Sequence, residues 1–194
     1  MWVRGAAIRP VPPYAVVPRE VLERVEQELA EGGLGTKSEL DDAFERFERT
    51  QPALAQHAAD ILARPLDETA LALGYFLTIA VWLGFERAFR DRLGVVTEEE
   101  RAAADAALEL EEQLRASNTE EPLDLEDVMA IEQPGVLAFL NEHVEAALEP
   151  EEDGSADVDV DDVHLVYRSV LVETLALSHA VAPTGGAQVS ELLA

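Results

Sequence analysis

The side chains best suited to chemistry are the four histidines, two of which lie three residues from an aspartate. These pairs are His57 with Asp60 and Asp161 with His164. At that spacing a carboxylate and an imidazole lie on one side of a helix, where both can reach one metal ion. A metal site in a helical bundle normally uses two Glu-x-x-His pairs, and this sequence contains none. Aspartates at helix ends are also more typical of caps, so we predict no metal site and no resident cofactor.

A second group of polar side chains falls within two long apolar segments. Glu173 is central in one of them, and a buried carboxyl group must find a partner or stay protonated. One hypothesis is a ligand pocket between two long helices, lined by Tyr75, Tyr167, Arg168, Glu173 and His179. The alternative, which we favour, is that buried polar residues satisfy one another, with an Arg168–Glu86 ion pair linking the two helices.

Motifs for nucleophilic catalysis or phosphate binding are missing from the sequence. It has no cysteine and no Gly-x-Ser-x-Gly. The glycine-rich stretch 32–35 has no strand before it and no correctly placed Lys-Ser after it, which indicates a helix end. The aspartate-rich stretch 153–162 lacks the glycine and glutamate of an EF-hand. We therefore expect a protein that is not an enzyme.

The charge is strongly acidic and unevenly distributed. The net charge is −26, and Lys37 is the single lysine. Residues 1–97 hold 15 acids and 11 bases, whereas residues 98–194 hold 25 acids and 3 bases. Such a surface disfavours nucleic acid and anionic membrane, and it favours a basic protein partner. Adaptation to high salt is an alternative, but it should acidify both halves alike.

The acidic half supplies a candidate binding face, which we call the acidic face. It consists of Glu109, Glu111, Glu112, Glu120, Glu121, Glu126 and Asp127. A homodimer is a further possible assembly that the sequence does not decide.

Caps, prolines and glycine stops predict an all-α protein of about eight helices. Six of them are expected at 18–30, 38–50, 67–93, 97–116, 124–132 and 161–181. The other two are expected to begin at residues 52 and 134. Residues 1–17 predict an extended arm, pinned to the body by Trp2, Ile8, Val11 and Tyr14. The acidic stretch 150–159 predicts a solvated loop, and residues 183–194 predict a flexible tail.

Corresponding features recur in the two halves of the chain. Gln51-Pro52 and Gln133-Pro134 each open an amphipathic helix that follows a short acidic helix and precedes a long apolar one. This pattern predicts a duplicated four-helix unit, over 18–94 and 95–182, packed as one domain with the long helices central about a pseudo-twofold axis. Coincidence is the alternative, because helical proteins often share spacings.

The segment 69–85 contains no charged residue in 17 positions. It is at the lower limit for a membrane span, and its counterpart in the second half carries charged residues and could not span. We therefore predict a central core helix, no membrane association and a cytoplasmic protein. The resulting hypothesis is a soluble helical protein that acts through protein–protein contacts. A small-molecule-binding protein or enzyme with a polar pocket between the long helices is the alternative.

Overall fold

The structure is a computed structural model that describes residues 9–31, 37–116, 132–149 and 158–184. Those residues form seven α-helices and no strand, which confirms the all-α prediction. The helices are α1 (Arg19–Glu31), α2 (Lys37–Thr50), α3 (Pro52–Leu62), α4 (Glu68–Phe89), α5 (Glu98–Ala116), α6 (Pro134–Leu148) and α7 (Val160–Ala180). The helix predicted at 124–132, apart from Glu132, lies outside the described residues, as do Trp2, Ile8, most of the acidic loop and most of the tail.

Local sequence signals account for the helix boundaries. Prolines occupy the first turns of α3 and α6, where a missing N–H leaves no hydrogen bond unmade. Asp67 caps α4 by accepting from the N–H of Ala70 at 2.8 Å. Before α5, Thr97 and Glu100 form a reciprocal capping box, in which each backbone N–H donates to the other's side chain.

The two long helices α4 and α7 form the centre of the molecule and run parallel. At their N-terminal ends the N–H of Asp67 donates to Asp162 Oδ2 at 2.8 Å. At their C-terminal ends the N–H of Gly94 donates to the carbonyl of Ala180 at 2.9 Å, in a single antiparallel bridge. Between these two junctions the helices pack against each other through buried apolar side chains.

Gly74 explains how closely the central helices pack. A Cβ atom at this position would lie 2.7 Å from Leu62 Cδ2 and 3.0 Å from Val166 Cγ1. Those distances are shorter than van der Waals contact, so a larger residue here would have to displace the Leu62 and Val166 side chains, and glycine allows α4 to pack closely on α3 and α7.

Shorter helices surround the central pair. Helix α1 packs on α4 and α6, and α5 packs on α7. Helix α3 contacts α7, and α6 contacts α4, so each lies against the long helix from the other half of the chain. Helix α2 lies on the outside, against α3 and α4.

One helical segment, Glu68–Arg92, is long and apolar enough to cross a membrane by length and composition. In its most apolar window, 67% of the residues are buried inside the protein. Trp82 is 1% exposed and lies beside Phe47 of α2, with ring centroids 5.4 Å apart. Protein side chains therefore surround most of this helix.

The described part of the N-terminal arm is extended apart from a short 3-10 turn at Pro13–Ala15. Val11 is buried, as predicted, and Ala15 and Val17 are buried as well. The prediction that Tyr14 pins the arm is wrong, because its side chain is 41% exposed. The tight turn directs Tyr14 outward and places the smaller Ala15 inside.

Gln133 holds this arm against the core. Its Oε1 accepts from the N–H of Val17 at 3.0 Å, and its Nε2 donates to the carbonyl of Ala15 at 2.7 Å. The same Nε2 donates to Ser178 Oγ on α7 at 2.8 Å. A fully buried side-chain amide thus completes the hydrogen bonding of an extended segment that has no strand partner.

Gln51 makes the corresponding contacts with the segment between α4 and α5. Its Oε1 accepts from the N–H of Val96 at 2.8 Å, and its Nε2 donates to the carbonyl of Gly94 at 2.9 Å. Both glutamines precede a proline at the start of a helix. Their backbone angles nearly coincide, with φ −136° and ψ 59° at Gln51 and φ −138° and ψ 64° at Gln133.

Candidate partner-binding surfaces

Arg168 of α7 is bound by carboxylates of α5. Its Nη1 donates to Asp105 at 2.8 Å and its Nε to Glu112 at 3.0 Å. The predicted ion pair between Arg168 and Glu86 is wrong, because Glu86 instead pairs with Arg46 of α2 at 2.6 Å. Arg168 and Glu86 face different outer helices, so each finds its partner away from the α4–α7 interface.

The two tyrosines proposed to line the ligand pocket contact separate neighbours. The Tyr167 hydroxyl donates to Asn141 Oδ1 of α6 at 2.9 Å. Tyr75 stacks on Phe44 of α2, with ring centroids 4.8 Å apart and an interplanar angle of 10°. Partial burial raises the Tyr75 pKa, and the nearby charges of Asp41 and Glu48 raise it further.

Glu173 is buried in α7, with 3% of its surface exposed. Its Oε1 has no hydrogen-bond partner among the described side chains and backbone groups. Burial raises the pKa of this carboxyl group well above its ordinary range, because the apolar surroundings disfavour the charged form. Burial therefore favours the neutral form of this carboxyl group in the folded protein.

His179 lies at the C-terminal end of the same helix, beside the backbone of Arg9. Burial lowers its pKa, and the positive charge of Arg9 lowers it further. Its Nδ1 is buried and has no partner in the described regions. The five predicted pocket residues thus contact different neighbours: α2, α6, α5, the interior of the core and the N-terminal arm.

The two aspartate–histidine pairs that were considered as metal ligands also lie apart from other ligand groups among the described residues. Within residues 9–31, 37–116, 132–149 and 158–184, no three His, Asp or Glu side chains are placed to hold one metal ion. His57 is partly buried at the contact between α3 and α5, where burial, followed by the charge of Arg101, lowers its pKa. His164 is exposed on α7, and Asp161 donates its N–H to the capping Asp159.

Helix α5 carries the described part of the acidic face. Ala104 and Leu108 are buried, while Glu99 and Glu109 are exposed on the outer side. Glu112 is bound to Arg168, which leaves it less available to a partner than its sequence position indicates. The other members, Glu120, Glu121, Glu126 and Asp127, lie outside the described residues.

An apolar groove lies between α2, α3 and α4, with a volume of about 940 Å³. We call it the α2–α4 groove. Its apolar lining comprises Leu40, Phe44, Ala59, Leu62, Ala63, Leu71, Ala72, Tyr75 and Phe76. Its two charged lining residues, Asp41 and Glu68, are both acidic. Leu71, in the first turn of α4, is 41% exposed at the groove.

Sequence reasoning missed this groove. The segment 69–85 is apolar all round, so its pattern does not distinguish the buried side from the side that faces the groove. Leu40 and Phe44 of α2 are both half-buried along the groove edge. The one available signal was the pair of acids, Asp41 and Glu68, flanking an uncharged surface.

Comparison with known proteins found no matching family model, no matching curated protein and no matching solved structure.

Proposed function

We propose that this chain is a non-enzymatic helical protein that acts by binding a basic protein partner. The observation that carries the proposal is the separation of charge along the chain. The second half has 25 acids and three bases, and two of those bases, Arg101 and Arg168, already pair with carboxylates of the same half. Cations supplied by a partner would offset this excess of negative charge.

Helix α5 is the described element that best fits such a contact. Its exposed side also carries three alanines between the acids, Ala102, Ala103 and Ala106. Because their side chains are short, the helix surface there is narrow and smooth. Leu110, which is 48% exposed, adds an apolar contact beside Glu109. A helix of this kind can lie along a partner whose arginine or lysine side chains reach around it to the carboxylates.

We further propose that the chain consists of two duplicated units, 18–94 and 95–182, related by a pseudo-twofold axis along α4 and α7. The matching backbone angles and hydrogen bonds of Gln51 and Gln133 support this. So do the reciprocal contacts, in which α3 lies on α7 and α6 lies on α4. In this proposal an extended segment precedes the first helix of each unit, and the glutamine of the other unit binds it.

The pocket alternative, a ligand site between the long helices, draws less support. Arg168 and Tyr167 are bound by α5 and α6, and Glu173 is enclosed in the core. A ligand at the α4–α7 interface would have to displace those contacts.

Charge reversal on α5 tests the proposed function. The chain would be used as bait in an extract of its source cells, with Glu99→Arg/Glu109→Arg as the variant. We expect the wild-type chain to capture a basic protein that is released as salt shortens the screening length from about 8 Å to about 3 Å. The α5 variant should lose that protein. Capture that is indifferent both to salt and to charge reversal would contradict the proposal.

A further inference from the structure

We propose that the α2–α4 groove is a docking site for an amphipathic helix that has one apolar side and basic residues flanking it. This inference rests on the proposed function, since it supposes a protein partner, but it assigns a second and separate surface. The groove lies on α2, α3 and α4, whereas the described residues of the acidic face lie on α5.

The shape and lining of the groove carry the first part of the argument. Three helices border an open groove of about 940 Å³, and its lining is apolar apart from two carboxylates and the Tyr75 hydroxyl. Phe44 and Tyr75 are stacked on each other, so the aromatic surface is held in place before any partner binds. A preorganised apolar surface of this size is typical of protein-recognition grooves.

The charges at the rim of the groove are the second observation that supports a basic helix as the occupant. Asp41 lies on α2 and Glu68 begins α4, so the two acids belong to different helices of the rim. Glu48 on α2 adds negative potential, which together with Asp41 raises the Tyr75 pKa. Among the side chains that the structure describes, no basic residue lines the groove, and neither rim acid is paired with an arginine. A segment with apolar residues but acidic flanks would therefore be repelled.

A helix is the occupant that fits this chemistry. A helix presents apolar side chains at positions i, i+3, i+4 and i+7 and satisfies its own backbone hydrogen bonds. The groove walls are helices, whose backbone groups are already hydrogen-bonded and offer no edge for an added strand. Basic residues on the two margins of the docked helix would then meet Asp41 and Glu68.

The test uses a fluorescein-labelled synthetic amphipathic helix with leucines on one side and arginines on its flanks. A second peptide has glutamates in place of the arginines. Binding to the full chain is measured by fluorescence anisotropy. We expect the arginine peptide to bind at least about tenfold more tightly than the glutamate peptide, which corresponds to about 1.4 kcal/mol.

Two matched chain variants separate docking in the groove from general attraction to an acidic protein. Leu71→Glu places a charge in the groove, and Val95→Glu places the same charge between α4 and α5, at an exposed apolar residue outside both proposed surfaces. We expect Leu71→Glu to weaken arginine-peptide binding about tenfold and Val95→Glu to leave it unchanged. Both side chains are already partly in water, so both variants should fold, as judged by their urea midpoints. Equal effects of the two substitutions would overturn the proposal.

Reversal of the rim charges gives an independent outcome. The variant Asp41→Arg/Glu68→Arg should prefer the glutamate peptide, and an unchanged preference would refute the assigned partner chemistry. If decanoate binds in the groove and neither peptide does, the occupant is a small apolar molecule. If light scattering shows a dimer that Leu71→Glu converts to a monomer, the occupant is a second copy of this chain. Either result overturns the docking proposal and leaves the α5 charge-reversal test of the proposed function intact.

Discussion

At the scale of single residues, the buried carboxyl group of Glu173 is a cost to stability. It is 3% exposed, and its Oε1 has no hydrogen bond within the described parts of the chain. Glu173→Met keeps the length of the side chain and removes the polar atoms. We expect the variant to be more stable than wild type by about 1–3 kcal/mol at pH 7, measured by urea unfolding.

The pH dependence of that difference identifies its cause. Burial raises the pKa of Glu173 in the folded state well above the value of 4.5 expected in the unfolded chain. Well below pH 4.5 the group is protonated in both states, so its ionisation adds nothing to the cost of burying it. As the pH rises above 4.5, the unfolded state ionises first, and wild-type stability falls relative to Glu173→Met until the folded pKa is passed. A stability difference that stays constant from pH 4 to 8 would contradict a raised pKa for the Glu173 carboxyl group.

At the scale of elements, Gln133 and Gln51 each join an extended segment to the helical core. Gln133→Ala leaves the N–H of Val17, the carbonyl of Ala15 and the hydroxyl of Ser178 without their partner. We expect a loss of about 2–4 kcal/mol in the free energy of unfolding, since each unsatisfied buried group costs about 1–3 kcal/mol. Gln51→Ala should cost less, because Gly94, whose carbonyl it binds, is exposed.

Gln56 provides the control for this pair of variants. It lies on the exposed side of α3 and donates to Asp60 one turn away. Gln56→Ala should change stability by less than about 0.5 kcal/mol, as is usual for surface positions. If all three alanine variants unfold at the same urea concentration, the two buried glutamines do not hold the segments as we describe.

A second element-scale prediction concerns the contact of α6 with the start of α1. A Cβ atom on Gly135 would lie 2.7 Å from the carbonyl oxygen of Val17 and 2.9 Å from the backbone nitrogen of Arg19. Because both obstacles are backbone atoms, Gly135→Ala should force the two elements apart and destabilise the fold by about 1–3 kcal/mol.

Gly84 is the comparison for Gly135, because the atom that a Cβ on Gly84 would meet belongs to a flexible side chain. The nearest atom to its added Cβ is Leu22 Cδ2 at 2.6 Å, the end of a flexible side chain. Alanine also has a helix propensity about 1 kcal/mol better than glycine, which offsets part of the strain. Thermal unfolding should therefore rank Gly84→Ala above Gly135→Ala. The opposite order would mean that the α6–α1 contact is looser than these distances indicate.

At the scale of the whole molecule, the sequence predicted the helices well and their side-chain partners poorly. Prolines, caps and glycines act within a few residues, so Pro52, Pro134 and the Thr97–Glu100 capping box located helix starts. Which helix an arginine faces depends on how helices pack across the fold, and the Arg168–Glu86 expectation failed for that reason. The α2–α4 groove was missed for a related reason, since an all-apolar segment does not reveal the side that packing leaves uncovered.

The net charge of −26 leads to a prediction about how salt affects the stability of the whole molecule. Described ion pairs such as Arg19–Glu23 and Arg46–Glu86 are substantially exposed, and exposed pairs contribute about 0–1 kcal/mol each. Most carboxylates have no basic residue available to them, so their mutual repulsion should outweigh the attraction within those pairs. Salt screens both the repulsion among carboxylates and the attraction within ion pairs, so the larger of the two determines whether salt raises or lowers the stability.

We therefore expect sodium chloride to stabilise the protein. Raising its concentration shortens the screening length from about 30 Å at 0.01 M to about 3 Å at 1 M. The midpoint of thermal unfolding should rise by at least about 2–4 °C, equivalent to about 1 kcal/mol for a chain of this size. Sodium chloride also changes the stability of proteins with ordinary net charge, so a control variant is needed. The control is Glu99→Gln/Glu109→Gln, which removes two exposed charges from α5. That variant should start at a higher midpoint in low salt and gain less from added salt. A midpoint that falls with salt would mean that specific ion pairs, such as the Asp105–Arg168–Glu112 cluster, stabilise the fold more than the acidic surface destabilises it.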